Sequence, residues 1–187
     1  MIFSRSDLLA QRQQGASLQY LPFWSHHPEQ PGEVDQSCLS MWYPTPFLTA
    51  EGVFPNVEQW LMLRKAQLYE DTKREALIRN ARTASEARQL GRAVGTENPG
   101  RWHEARLELA IQGNWNKFSQ TPALGTFLLA TDPYVLVQAS PIDAFWGTGL
   151  KADDPRLPRP DQWPGENWLG FVLMHVRQKL GQGHRAD

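Results

Sequence analysis

Glu58 and Lys65 stand seven residues apart in the stretch Phe54-Pro55-Asn56-Val57-Glu58-Gln59-Trp60-Leu61-Met62-Leu63-Arg64-Lys65-Ala66. At 3.6 residues per turn, a helix here puts Glu58, Leu61, Met62 and Lys65 on one face. Val57, Trp60 and Leu63 cover most of the remainder, so little of such a helix can face water. A carboxylate and an ammonium in that setting have to be paired, hydrogen-bonded or functional, because an unpaired buried charge is costly. A carboxylate held in this way can activate water or stabilise developing positive charge. Glu58 is therefore the first candidate for chemistry.

A second constellation is Asp143-Ala144-Phe145-Trp146-Gly147-Thr148-Gly149. An acid, an aromatic and two glycines in a turn can present a carboxylate and a flat ring to a ligand while the backbone approaches closely. The same residues also make an Asx-turn followed by a packing tryptophan. Gly165-Glu166-Asn167-Trp168-Leu169-Gly170 reads as a similar turn opening a last helix, with Asn167 either its N-cap or a ligand-holding amide. Gly147-x-Gly149 is no dinucleotide fingerprint, lacking the third glycine and the strand-turn-helix setting, and neither a P-loop nor a Gly-x-Ser-x-Gly elbow occurs. His26-His27 has no companion ligands at metal spacing and reads as a solvated loop pair. Of Arg88, Arg92, Arg101 and Arg106, most read as solvated faces, with one or two suited to phosphate.

The elements that must position these residues follow from periodicity. Leu21 to Trp24 reads as a short strand, the polar stretch from His26 to Ser37 as a loop, and Cys38 to Phe47 as extended chain. Asn56 is an N-cap, with Gln59 in a variant of the capping box, for a helix reaching about Tyr69. Glu70 to Asn80 is a further helical stretch with Ala76, Leu77, Ile78 and Ala81 inward. Thr83 to Glu86 is a capping box for a helix ending near Gly91 or Gly95. Trp102, Ala105, Leu109 and Ala110 form the apolar stripe of a long helix from Arg101 to Phe118. Pro122 opens another, Tyr134 to Ala139 alternates as a strand, and Asn167 to Leu180 closes the fold. The expectation is an α+β, predominantly α-helical single domain with a few short strands, spanning residues 21–182, after an arm at 1–20 and before a tail at 183–187.

Composition narrows the setting. The 187 residues carry 19 Lys and Arg against 20 Asp and Glu, a formal net charge of -1, which argues against a dominant attraction to nucleic acid or anionic membrane. No apolar run is long enough to span a bilayer, and Cys38 is the single cysteine, so a cytoplasmic protein without an internal disulfide is expected, with Cys38 a small buried side chain. Eight tryptophans are the unusual feature; most should pack, while some could stack on planar ligands.

In their order, these segments resemble the NADAR family of YbiA-like N-glycosidases over roughly residues 21 to 180. Phe23-Trp24 is similar to the family's Phe-Tyr pair, and Ser40-Met41-Trp42 to its Ser-Asn-Phe. Phe54-Pro55-Asn56-Val57-Glu58-Gln59-Trp60 stands where members have Trp-Pro-Thr-Ser-Glu-His-Tyr, followed by the shared lysine, here Lys65. Leu90-Gly91-Arg92 matches Met-Gly-Arg, and Arg101-Trp102 through Lys117-Phe118 keeps the Trp-to-Lys-Phe interval. The Asp143 and Asn167 turns match Asp-x-x-Trp-Gly-x-Gly and Gly-x-Asn-x-Leu-Gly. The departures at Met41, Gln59 and Trp60-Leu61-Met62 fall around the presumed pocket and bear on substrate choice.

The resemblance implies a hydrolase that cleaves the N-glycosidic bond between ribose, or ribose phosphate, and a base or amine. Riboflavin-pathway ribosylamino-pyrimidine phosphates and ADP-ribose on guanine are the substrates it brings forward, so the partner is a small nucleoside- or nucleotide-like molecule or an ADP-ribosylated guanine in nucleic acid. Glu58 would be the principal catalytic carboxylate, Asp143 the second, and Lys65 either the group that keeps Glu58 ionised or a phosphate contact. Trp146 and Trp102 would stack on the base, Asn167 would hydrogen-bond sugar or phosphate, and Gly147, Gly149 and Arg92 would line the substrate site. No metal or other cofactor is required by this scheme. The alternative is a non-catalytic module that binds ADP-ribose or NAD, with Glu58 and Lys65 as a structural ion pair.

Overall fold

The computed structural model describes residues 3–183, so of the expected tail at 183–187 only Gly183 falls within the described residues. The fold is α+β and predominantly helical, with seven helices and four short strands among the described residues. Backbone contacts divide the chain into two compact units, one made by the chain up to Ser40 together with the chain from Pro122 onward, the other by Met41–Thr121.

In the first unit, α1 (Arg5–Gln13) starts at Ser4, whose side chain accepts from Asp7 N, so the expected arm contains a capped helix. Strand β1 (Tyr20–Phe23) pairs in parallel with β4 (Val135–Gln138), Tyr20 opposite Val135 and Phe23 opposite Gln138. Val135, Leu136 and Val137 are all buried, with α7 (Trp168–Gly183) packed on β4 and turning Leu169, Val172, Leu173 and Val176 inward. Helix α6 (Pro122–Ala130), with proline at its first position, packs in turn on α7.

In the second unit, β2 (Phe47–Thr49) and β3 (Gly52–Phe54) form a hairpin, followed by α2 (Val57–Leu68), α3 (Thr72–Arg79), α4 (Ala84–Arg92) and α5 (Pro99–Gln120). Helix α2 is packed by α3, α4 and α5, which is why every residue from Val57 to Leu63 is buried. Close approach of α5 depends on Gly113, where a Cβ would stand 2.8 Å from the Trp60 ring and 3.0 Å from Val57.

Two local expectations fail for identifiable reasons. The stretch expected to be extended from Cys38 begins instead inside a 3-10 turn, Gln36–Leu39, which Asp35 caps by accepting from Ser37 N. Pro44 and Pro46 cannot donate to a ladder, and strand pairing starts only at Phe47. In α3 only Ile78 is buried, and Leu77 is 48% exposed, because two turns of helix turn a single residue fully inward.

Candidate active site

The first turn of α2 is built as the sequence suggests. The Asn56 side chain accepts from Gln59 N at 2.9 Å, which fixes the helix start. Glu58 then lies in the first turn and Lys65 in the last, each charge complementing the helix dipole. Gln59 does not complete a capping box. Its Nε2 donates to the carbonyls of Ile78, Arg79 and Ala81, stitching the α3–α4 connection to α2.

Glu58 is 2% exposed, and its Oε2 accepts from the Trp42 indole Nε1 at 3.1 Å. The Arg88 guanidinium lies 6.0 Å from the centre of the Trp42 ring. Lys65 is directed elsewhere than the resemblance allows for a Glu58 partner. Two helical turns, about 10 Å along the axis, separate the two residues. The Lys65 Nζ donates to the Gly91 carbonyl at 2.9 Å and sits 5.4 Å from the Trp102 ring. Burial pushes the Lys65 pKa below the ordinary lysine value. That carbonyl is reachable because α4 touches α2 at Gly91, where a Cβ would fall 2.2 Å from Met62 Sδ. Arg92 is exposed at the end of α4, and Trp102 is half-buried with its backbone N–H donating to the Tyr69 hydroxyl at 3.0 Å.

Two residues of this unit were missed by reading the α5 stripe only as far as Ala110. Continued by threes and fours, it runs through Gly113, Asn114, Lys117 and Phe118, all buried. Lys117 has no exposed surface; its Nζ lies 4.9 Å from the Phe118 ring and 5.4 Å from that of Tyr43. Asn114 is equally buried, its Nδ2 donating to the Ala110 carbonyl at 2.8 Å while its Oδ1 meets no donor. A lysine at core spacing on an apolar stripe was the available signal, since such a charge needs a partner or a task.

The turns of the first unit behave differently. Asp143 Oδ1 accepts from Phe145 N at 3.1 Å and Trp146 N at 2.8 Å, which is the Asx-turn. Trp146, expected to stack on a base, is only 9% exposed and meets the Phe145 ring edge-on at 4.8 Å. Gly147 is where the chain passes between two of its own carbonyls, a Cβ there lying 2.9 Å from both Asp143 O and Gln138 O, and Gly149 has a φ of +74°. These two glycines therefore serve the turn. Asn167 directly precedes α7 and its carbonyl accepts from Phe171 N, but its side chain does not cap the helix. At φ +59° and fully buried, it accepts on Oδ1 from Gln138 N at 2.8 Å and donates from Nδ2 to the Leu136 carbonyl at 2.9 Å. Backbone bonds from Gly165 N, Asn167 N and Leu169 N to the carbonyls of Thr148, Gly147 and Trp146 lock the two turns together.

Against known proteins, the sequence model of the NADAR domain family matches residues 22–181. The chain belongs to the NADAR family. It is 34% identical over 161 residues to the N-glycosidase R617 of Acanthamoeba polyphaga mimivirus, covering 83% of this chain and 95% of that one. It is 36% identical over 110 residues to the chloroplastic riboflavin biosynthesis protein PYRR of Arabidopsis thaliana, covering 56% of this chain and 16% of that one. The NMR structure of E. coli YbiA superposes with a TM-score of 0.73 at 23% identity, covering 95% of both chains, a likeness of fold. This NADAR chain is thus an enzyme of the N-glycosidase kind. Among the described residues, no helix is long and apolar enough to cross a membrane.

Proposed function

We propose that the chain hydrolyses the C1'–N bond of a ribosyl or ribosyl-phosphate compound, with Glu58 as the principal catalytic carboxylate. The observation that carries this reading is a carboxylate 2% exposed, at the start of a helix and held by an indole N–H. Breaking the C1'–N bond builds positive charge on the sugar, and a fixed carboxylate stabilises that charge. Water adds to C1' as the C1'–N bond breaks with its electron pair on nitrogen, a carboxylate takes one water proton, and the departing nitrogen gains a proton in exchange. Asp143 is the second carboxylate, orienting water or the sugar hydroxyls. Trp102, half-buried with an ammonium beside its ring, suits stacking on the base. Lys65 and Arg92 suit a substrate phosphate, Lys65 keeping ammonium protons beyond the one given to Gly91. Trp146, Gly147, Gly149 and Asn167 then act by holding the turn that carries Asp143.

The favoured substrates are the riboflavin-pathway ribosylamino-pyrimidine phosphates, on the strength of the match to a riboflavin biosynthesis protein, followed by ADP-ribose on guanine. The proposed setting is the cytoplasm. The test is incubation of the purified protein with these compounds and NAD, following release of free base or amine by mass spectrometry, with Glu58→Gln as control. Release from one compound, lost in Glu58→Gln, supports the reading and names the substrate class. Binding of ADP-ribose or NAD by calorimetry, with no release from any compound, overturns it in favour of a binding module.

A further inference from the structure

We infer that Trp42 is a positioning residue for the reaction, orienting the Glu58 carboxylate through its indole N–H. The inference rests on the reading of Glu58 as the catalytic carboxylate. It starts from how the 41–42 segment is tied to α2. Glu58 N, one of the first-turn donors that a helix cannot satisfy internally, donates to the Met41 carbonyl at 3.1 Å. The next residue returns a side-chain bond to the same glutamate, Trp42 Nε1 to Oε2, also at 3.1 Å. Glu58 is thus gripped at its backbone and at its carboxylate by two successive residues, and neither end can turn without breaking a bond. The Arg88 guanidinium beside the Trp42 ring adds a third restraint on the indole.

What tryptophan brings to this position is a donor. An indole N–H donates and never accepts, so it fixes Oε2 as an acceptor and sets the plane of the carboxylate. Phenylalanine, the residue of the Ser-Asn-Phe pattern, has no such donor, and a tyrosine hydroxyl lies at the far end of its ring. A carboxylate facing an oxocarbenium-like centre works by preorganisation, so freeing its plane reduces kcat more than substrate affinity.

The test replaces Trp42 by 3-benzothienylalanine, which keeps the bicyclic shape and exchanges the N–H for sulfur, alongside Trp42→Phe and Glu58→Gln. With the N-glycoside that the wild-type protein turns over, kcat is expected to fall about tenfold in both Trp42 variants, with KM within about twofold and an unchanged melting temperature for the benzothienyl protein. Independently of turnover, the Trp42 indole proton in a 15N-labelled protein is expected to resonate downfield and exchange slowly, and to lose both properties in Glu58→Leu, which keeps the indole and removes its acceptor. Wild-type kcat in the benzothienyl protein beside a dead Glu58→Gln overturns the inference alone. A raised KM with unchanged kcat also overturns it, making Trp42 a substrate platform. Full activity in Glu58→Gln overturns the reading of Glu58, and the inference with it.

Discussion

Asp143 and Asn167 in the first unit, and Glu58 and Lys117 in the second, are polar groups withdrawn in part or in full from water, yet they are used in opposite ways. Asp143 Oδ1 takes two backbone N–H groups of its own turn, and the Asn167 amide takes one donor and one acceptor of β4. These are local satisfactions of buried backbone, the ordinary duty of a structural polar residue. Glu58 and Lys117 carry ionisable groups, 2% and 0% exposed, on helices that pack against each other. Hydrophobic replacements of similar volume would hold such helices together at least as well. The difference teaches where to look for function: in the groups whose burial the fold itself does not require.

The largest expected effect is Glu58→Gln. Glutamine keeps the shape and an acceptor for the Trp42 indole, so the melting temperature should stay close to wild type while kcat falls about a thousandfold. Steady-state kinetics with thermal unfolding on the same preparation checks this, and a retained kcat would place Glu58 with the structural group.

The opposite pattern is expected for Asn167→Ala. Losing the amide strands Gln138 N and the Leu136 carbonyl in the interior, and alanine is strained at φ +59°. The cost should be about 3 kcal/mol by denaturant titration, with kcat per folded molecule preserved at low temperature. Asn167→Gly relieves the backbone strain alone and should recover about 1 kcal/mol. A kcat loss in Asn167→Gly beyond its unfolded fraction would return Asn167 to the substrate.

Asp143 is where the two categories meet, and Asp143→Asn separates them. Asparagine makes the same Asx-turn, so stability should move by less than about 0.5 kcal/mol. A role as second carboxylate predicts a fall in kcat of about tenfold. Unchanged kinetics would make Asp143 wholly architectural.

What the sequence disclosed follows the same division. The caps at Asn56 and Thr83 were legible because a short polar side chain before an apolar period has one local use, and the helices begin there. The burial of α2 was legible because its apolar residues leave no open face. The pairing of β1 with β4 was not, since parallel strands joined through more than a hundred residues leave no turn signal between them. The side-chain bonds of Asn167 to β4 were not legible, because an asparagine before a helix serves equally as a side-chain cap and as a left-handed residue. Lys117 escaped because the α5 stripe was followed through its apolar members and dropped at its first polar ones.

The smallest expected effect concerns Lys65, which stands between the two groups: half-buried, bonded to a backbone carbonyl, yet proposed to meet a phosphate. Burial holds its folded-state pKa below the ordinary value of 10.5. The unfolded chain therefore keeps this proton to higher pH than the folded one. Below the folded pKa both states are charged, and the burial penalty is constant. Between that pKa and 10.5 the unfolded state binds more protons, so stability contributed by this group rises with pH. Lys65→Met removes the titration, and its stability relative to wild type should fall as pH is raised through that window, by a small amount because the ammonium is partly solvated. Melting curves from neutral to alkaline pH check the sign. Kinetics on the same variant decide the grouping: a KM increase of about tenfold for a phosphate-bearing substrate over its dephosphorylated form assigns Lys65 to the site, and equal KM changes for both assign it to the fold.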